Sequence, residues 1–380
     1  MSRERAQAAL DGVMTDRIPQ MFPLDSPGAA ERVLGFDIWA DPERTHVGLA
    51  KHFELDMVPS FMSFAEWNFP LVRYYADAKF LDDPSCDRYR DVYRNAPAPR
   101  PYRSMEDVLQ RPFGGAWWGI SPTLFYEKTG FDSPEEALAF NPREHDPGTP
   151  EERARFFTEF YEREAALAGD DSLVVGWYYN TLFMWPVEIF GWENFMLAAM
   201  MDEERFDEIL DQFLEITLRD VTAMCAPNRI PAICCHDDLC SAAGPMFSPA
   251  WYEEHIFPRY AKVFDAIHGA GKKVLYVCDG NLVPLLDRIA GTGVDGVMID
   301  HNADLATVME AFSGKVVVGG LDPTVVGSGA KDDIEKQVRE VVDIVRGEPG
   351  YFFQNTGQTG QAPAENILHY QQCLREFGAR

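Results

Sequence analysis

The stretch Ile230-Pro231-Ala232-Ile233-Cys234-Cys235-His236-Asp237-Asp238 sets a short apolar, β-branched run against a polar, acidic end. Such a run reads as a strand that stops where the acids begin. Similar runs recur at Leu173–Gly176, Lys273–Val277, Val294–Ile299, Lys315–Val318 and Tyr351–Phe353. Between them lie amphipathic stretches, Asp202–Cys225, Pro249–His268, Ala303–Phe312, Lys331–Arg346 and Pro363–Phe377, whose spacing predicts helices. Ser248-Pro249 places a capping hydroxyl before a first-turn proline, and Ala364-Glu365-Asn366 puts an acid near a helix start. Strand and helix alternate, the mark of βαβ units.

Two more strands are read upstream, at Arg17–Phe22 and Asp56–Phe61. Eight strands, most with a following helix, predict a closed parallel (β/α)8 barrel (a TIM barrel), an α/β fold entered through an N-terminal helical extension. An open doubly wound sheet is the alternative, but no G-x-G-x-x-G follows the first strand. From Pro84 to Pro150 the rhythm breaks into proline and aromatics, among them Pro97, Pro99, Pro101, Trp117, Trp118, Phe125 and Tyr126. Residues 84–150 read either as an insertion folded over the barrel mouth or as a surface elaboration or oligomer contact. The whole chain, 1–380, is expected to form a single barrel domain.

Composition narrows the class. The net charge of −27, from 34 basic and 61 acidic side chains, disfavours nucleic acid and anionic membrane surfaces as partners. No apolar signal core follows Met1-Ser2-Arg3-Glu4-Arg5, and no run is long enough to span a membrane. Seven cysteines without C-x-x-C spacing suit reduced thiols, so a cytoplasmic location is expected. Cys234 and Cys235 read as buried strand residues, and His255 and His268 as structural.

Chemistry gathers where strands end. His236, Asp237 and Asp238 could share a proton as a general acid, or ligate a hard or borderline metal together with Asp279 from the next strand end. Asn281 is read as orienting substrate or as a plain helix cap; Asp300, ahead of His301, and Asp322 are candidate substrate contacts, Asp322 equally a turn residue. Trp177, Tyr178, Tyr179, Phe183 and Trp185 could form a slot for a planar ring, although core packing competes for some of them.

Several passages carry a resemblance. They are Arg3-Glu4-Arg5 through Thr15-Asp16-Arg17-Ile18-Pro19; His236-Asp237-Asp238-Leu239 with Gly244-Pro245-Met246-Phe247-Ser248-Pro249; Phe257-Pro258-Arg259-Tyr260; and His268-Gly269-Ala270-Gly271-Lys272. Asp279-Gly280-Asn281, Gly319-Gly320-Leu321-Asp322-Pro323 and Pro363-Ala364-Glu365-Asn366-Ile367 follow in order. Together they resemble the uroporphyrinogen decarboxylase-like superfamily, which implies a TIM barrel, enzymatic activity and often a homodimer. The superfamily hosts porphyrinogen decarboxylation and corrinoid-linked methyl transfer.

The decarboxylase resemblance implies an M-R-Q-A-G-R stretch after the first strand, with arginines for substrate carboxylates. Here it reads Met21-Phe22-Pro23-Leu24-Asp25-Ser26-Pro27-Gly28, without arginine. Thiol-using methyltransferases of the superfamily carry zinc on H-x-C and a distant Cys. Those positions are Val277 and Asp279 here, Cys278 is one residue off, and Gln354-Asn355-Thr356-Gly357-Gln358 lacks a cysteine. The usual thiolate–zinc site is therefore absent from the sequence.

The expected activity is a methyltransferase passing a methyl group from a small donor, such as a methoxylated aromatic (O-demethylation) or a methylamine-like compound, to a corrinoid (cobalamin). No D-x-H-x-x-G corrinoid motif is present, so a partner protein is expected to carry that group. The alternatives are a divergent carboxy-lyase and a non-catalytic tetrapyrrole or corrinoid binder.

Overall fold

The computed structural model describes residues 2–21, 26–38, 42–59, 131–145, 149–354 and 362–380. At its centre are eight parallel strands: β1 (Gln20–Met21), β2 (Met57–Val58), β3 (Leu173–Val174, continuing past Val175 as Gly176–Tyr178), β4 (Ala232–His236), β5 (Lys273–Cys278), β6 (Gly296–Ile299), β7 (Val316–Gly319) and β8 (Tyr351–Gln354). Each pairs with the next in chain order and β8 pairs back with β1. β3 joins β2 through Leu173–Val174 and β4 through Gly176–Tyr178, so the sheet closes on itself. The strands lie where the β-branched runs put them.

Period-two alternation divides each strand between two cores. Inward go Met21, Met57, Val175, Trp177, Cys234, Leu275, Val277, Met298, Val318 and Phe352, which fill the cylinder as one apolar cluster. Outward go Val174, Tyr178, Ile233, Cys235, Tyr276, Val297, Val317 and Phe353, against the surrounding helices. The expected N-terminal helix, Ser2–Leu10, places Ala6, Ala9 and Leu10 in the inner cluster.

That helix is pinned by charge. Arg5 donates to Asp16 and, at 2.6 Å, to Asp56, which also accepts the Gln20 N–H. Asp56 is fully buried, and burial raises its pKa against the pull of Gln20, Arg17 and Arg5. Arg5→Ala should cost about 3 kcal/mol, the low end for breaking a buried pair, because Arg17 and the Gln20 N–H remain. Urea denaturation reads this directly; a loss below about 0.5 kcal/mol would show that water replaces Arg5 without penalty.

Two expectations need correction. The stretch Pro249–His268 is two helices, Pro249–His255 and Phe257–Gly269, broken at Ile256 where Pro258 in the second first turn has no N–H to continue the ladder. β3 runs on to Tyr178, so Trp177 and Tyr178 are strand residues rather than loop residues. The tail of the 84–150 stretch is helical, with Pro134–Ala139 and a turn at Pro142–His145; there Phe131 and Phe140 pack edge-on against Phe190. Residues 84–130 lie outside the described residues.

Candidate functional site

β4 and β5 end side by side, with His236 opposite Val277. Alternation turns His236 inward beside Cys234, and its ring meets Tyr179 (centroids 4.4 Å apart) and Trp177 (5.6 Å) edge to face. His236 Nε2 lies 3.0 Å from Asp238 Oδ1, which also accepts the Asp279 N–H at 2.9 Å. One ligand atom from each of His236, Asp238 and Asp279 lies within 4.8 Å of the others. Three predicted residues thus converge at one rim.

Their charges are set by one another. Burial works against the charged form of His236, but Asp238, Asp279 and Asp237 outweigh it and raise the imidazole pKa. Burial likewise opposes the Asp238 carboxylate, and the His236 charge and hydrogen bond bring its pKa below the usual range. Solvent reaches Asp279 at the rim, yet the enclosing protein wall and the Asp238 charge push its pKa up to about 6. Neighbouring carboxylates are thereby split, one held charged beside an imidazole and one able to carry a proton near neutrality.

Gly280 lets the two strand ends meet. Its φ is +88°, and a Cβ there would sit 2.6 Å from the Cys240 and Ser241 carbonyl oxygens. Gly280 donates to Asp300 (3.0 Å) and Asn281 donates to the Ser241 carbonyl (2.8 Å), fixing the turn that carries Asp279. Gly280→Ala is expected to cost at least about 1–3 kcal/mol and lower the melting temperature. An unchanged melting temperature would mean that the 240–241 loop yields freely.

Of the other predicted residues, Trp177 and Tyr179 flank His236, and Asp300 lies close enough to Asp279 to add to its pKa rise. Asp237 and Tyr178 point away from the mouth. Asp237 faces outward and is fully buried: it accepts the N–H groups of Leu182, Phe183 and Met184 and the Tyr260 hydroxyl, so it braces the wall instead of reaching the mouth. Tyr178 also turns outward, donating to Asp220, which pairs with Arg153. Phe183 packs among Phe195, Phe247 and Tyr252, and Trp185 stacks on Phe213. Of the aromatic slot only Trp177 and Tyr179 face inward.

Asp300 accepts from Gly280 and Asn302, Asn281 Oδ1 accepts the Val283 N–H, and Asp322 caps Thr324 with His301 Nε2 4.0 Å away. These three hold backbone at the strand ends. His255 and His268 pair with Asp207 and Asp295, as structural residues should. Tyr260 and Tyr276, which grip Asp237 through its carboxylate and carbonyl, carry no sequence signal for that role. Tyr260 was visible only as the last residue of the Phe257-Pro258-Arg259-Tyr260 motif.

A family model described as uroporphyrinogen decarboxylase (URO-D) matches residues 187–377, half of the chain, from just after β3 to the final helix. The chain belongs to this family. A uroporphyrinogen decarboxylase of Geotalea uraniireducens is 28% identical over 138 residues, covering 36% of this chain and 40% of that protein. The methylcobamide:CoM methyltransferase MtbA of Methanosarcina acetivorans is 25% identical over 139 residues, again 36% and 40%. The chain thus spans about 40% of the length of the curated relatives it matches. A solved methyltransferase from Methanosarcina mazei superposes with a TM-score of 0.59 at 15% identity, over 99% of this chain and 98% of that one, a likeness of fold. Among the described residues no helix is long and apolar enough to cross a membrane, and six cysteines are free thiols.

Proposed function

We propose that the chain is a methyltransferase that moves a methyl group from a small methoxylated or methylated donor to a corrinoid carried by a separate protein in a reducing cytoplasm. One observation carries this reading: the mouth brings together an imidazole and two carboxylates, while the place for carboxylate-binding arginines reads Phe22-Pro23-Leu24-Asp25. That sequence offers no bidentate cation for a polycarboxylate. A protein named as a methylcobamide methyltransferase is among the relatives, at 25% identity beside 28% for a decarboxylase, so both activities occur in this neighbourhood.

The reduced corrinoid, as methyl acceptor, supplies the electron pair that forms the new bond to carbon. The chain's task is to hold the donor against it and to assist the departing atom. For an ether, the carbon–oxygen bond breaks, the oxygen keeps its electron pair, and a proton completes the alcohol. Asp279 stands at the rim with the means to deliver that proton, and Asp238, itself held by His236, orients its turn by accepting the Asp279 backbone N–H. Trp177 and Tyr179 flank the imidazole and give the donor an apolar wall.

The test incubates the chain with reduced cobalamin and a panel of methoxyarenes and methylamines, following methylcobalamin and demethylated product together. Equal formation of both is expected. Carbon dioxide from an aromatic or pyrrolic acid, without methyl transfer, would instead support a carboxy-lyase, the activity named for the Geotalea relative. Tight corrinoid binding with no turnover would leave only a binding role.

A further inference from the structure

We propose that the Nδ1–H of His236 donates a hydrogen bond to a second oxygen on the ring of the methyl donor, so that this residue selects methoxyarenes with another oxygen beside the methoxy group. The inference deepens the methyl-transfer reading and rests on it for the identity of the ligand. The imidazole has two nitrogens, and the fold employs only one. Nε2 lies 3.0 Å from Asp238 Oδ1, and that carboxylate, held charged, can only accept, so a proton stays on Nε2. Nδ1, on the ring edge away from the two carboxylates, has no hydrogen-bond partner among the described residues, although His236 is only 7% exposed.

Register says from where a partner can come. Tyr178 pairs with Cys235, which sets Tyr179 level with His236 and Trp177 one layer lower, opposite Cys234. Trp177 is fully buried and fills the cylinder beneath the imidazole, whereas Tyr179 is only partly buried, at the mouth. Both rings stand edge to face with the imidazole, their centroids 5.6 and 4.4 Å from its own. A molecule that reaches Nδ1 therefore enters from the mouth and lies along Tyr179, a boundary that suits a flat ring.

The surroundings define the kind of group. Asp238, Asp279 and Asp237 favour the doubly protonated imidazole, in which Nδ1 is a donor as well. A buried donor without an acceptor is costly, so a ligand that brings an acceptor is preferred to one of the same shape that does not. A carboxylate is the wrong acceptor, because Asp238 and Asp300 already charge this rim negatively; a neutral ether or phenol oxygen meets no such penalty. The departing oxygen belongs to Asp279, which leaves the second oxygen for Nδ1. His236 and Asp279 offer polar atoms within 4.8 Å of each other, a gap that oxygens on adjacent ring carbons can bridge.

The probes are two rings of one shape, ortho-dimethoxybenzene and ortho-ethylmethoxybenzene, which differ by an oxygen in place of a methylene. Equilibrium dialysis against the full chain, with no corrinoid present, measures both affinities. The dimethoxy ring is expected to bind at least about tenfold more tightly, against the ordinary preference of an apolar wall for the methylene. In His236→Gln the amide can still meet Asp238 but leaves nothing at the Nδ1 position; verified as folded by circular dichroism, it should bind the two rings within about twofold of each other. Equal affinities in the wild type would show that water serves Nδ1 and would overturn the proposal. So would absence of binding by either ring, or a preference that survives in folded His236→Gln; if that variant does not fold, the wild-type comparison decides alone. Methyl transfer from both rings at equal rates would remove this proposal alone; discrimination in binding without methyl transfer would remove only the methyltransferase reading.

Discussion

Asp279→Asn is expected to lower the single-turnover rate of methyl transfer by about 10²–10⁴-fold, the usual worth of a positioned acid. The reason lies in what this side chain does not do. Asp279 packs against no core cluster, and its carboxylate accepts no hydrogen bond from another described side chain. Asparagine keeps its shape, so the melting temperature should hold while the rate falls. The amide has no acidic proton to deliver to the departing atom. The loss should appear in kcat more than in KM, because assistance to the leaving atom matters only as the bond breaks. A rate within about fivefold of wild type, in protein of unchanged stability, would remove Asp279 from the chemistry.

The barrel was legible because its strands are short, β-branched and separated by amphipathic helices; each of the eight runs became a strand. The site was legible in part, and the failures follow a rule. Successive strand residues face opposite sides, so Cys234, His236 and Asp238 share a parity that Asp237 lacks. The same parity sends Trp177 and Tyr179 inward and Tyr178 outward. Residue type alone put Asp237 and Tyr178 in the mouth; alternation would have removed them. Asn281, Asp300 and Asp322 were harder, because a residue type that caps backbone also binds ligands. In the structure these side chains accept the backbone N–H groups of Val283, Gly280 and Thr324. The break at Ile256 was signalled by Pro258 but masked by the continuous amphipathic pattern around it.

Asp237→Ala is expected to destabilise the fold by more than about 4 kcal/mol, a size reserved for a lost buried network. Four donors converge on this carboxylate: the N–H groups of Leu182 (2.5 Å), Phe183 (2.8 Å) and Met184 (2.8 Å), and the Tyr260 hydroxyl (2.8 Å). They begin the helix after β3 and tie it to the helix Phe257–Gly269, while Tyr276 holds the Asp237 carbonyl from β5. Alanine leaves all four donors without an acceptor in a place that water does not reach. Asp237→Asn keeps one acceptor oxygen and turns an amide N–H₂ toward former donors, so a smaller loss, about 1–3 kcal/mol, is expected. Burial pushes the native carboxyl pKa up to about 7 against the pull of those donors. A pKa raised in the folded state means that the native chain holds a proton the unfolded chain has released. Its contribution is fully present below about pH 4 and is lost as pH rises through about 7. Urea midpoints across that window should therefore fall for wild type and stay flatter for Asp237→Asn. Any activity lost by either variant should return as trimethylamine N-oxide restores folding. Loss of turnover in fully folded Asp237→Asn would place this carboxylate in the reaction after all.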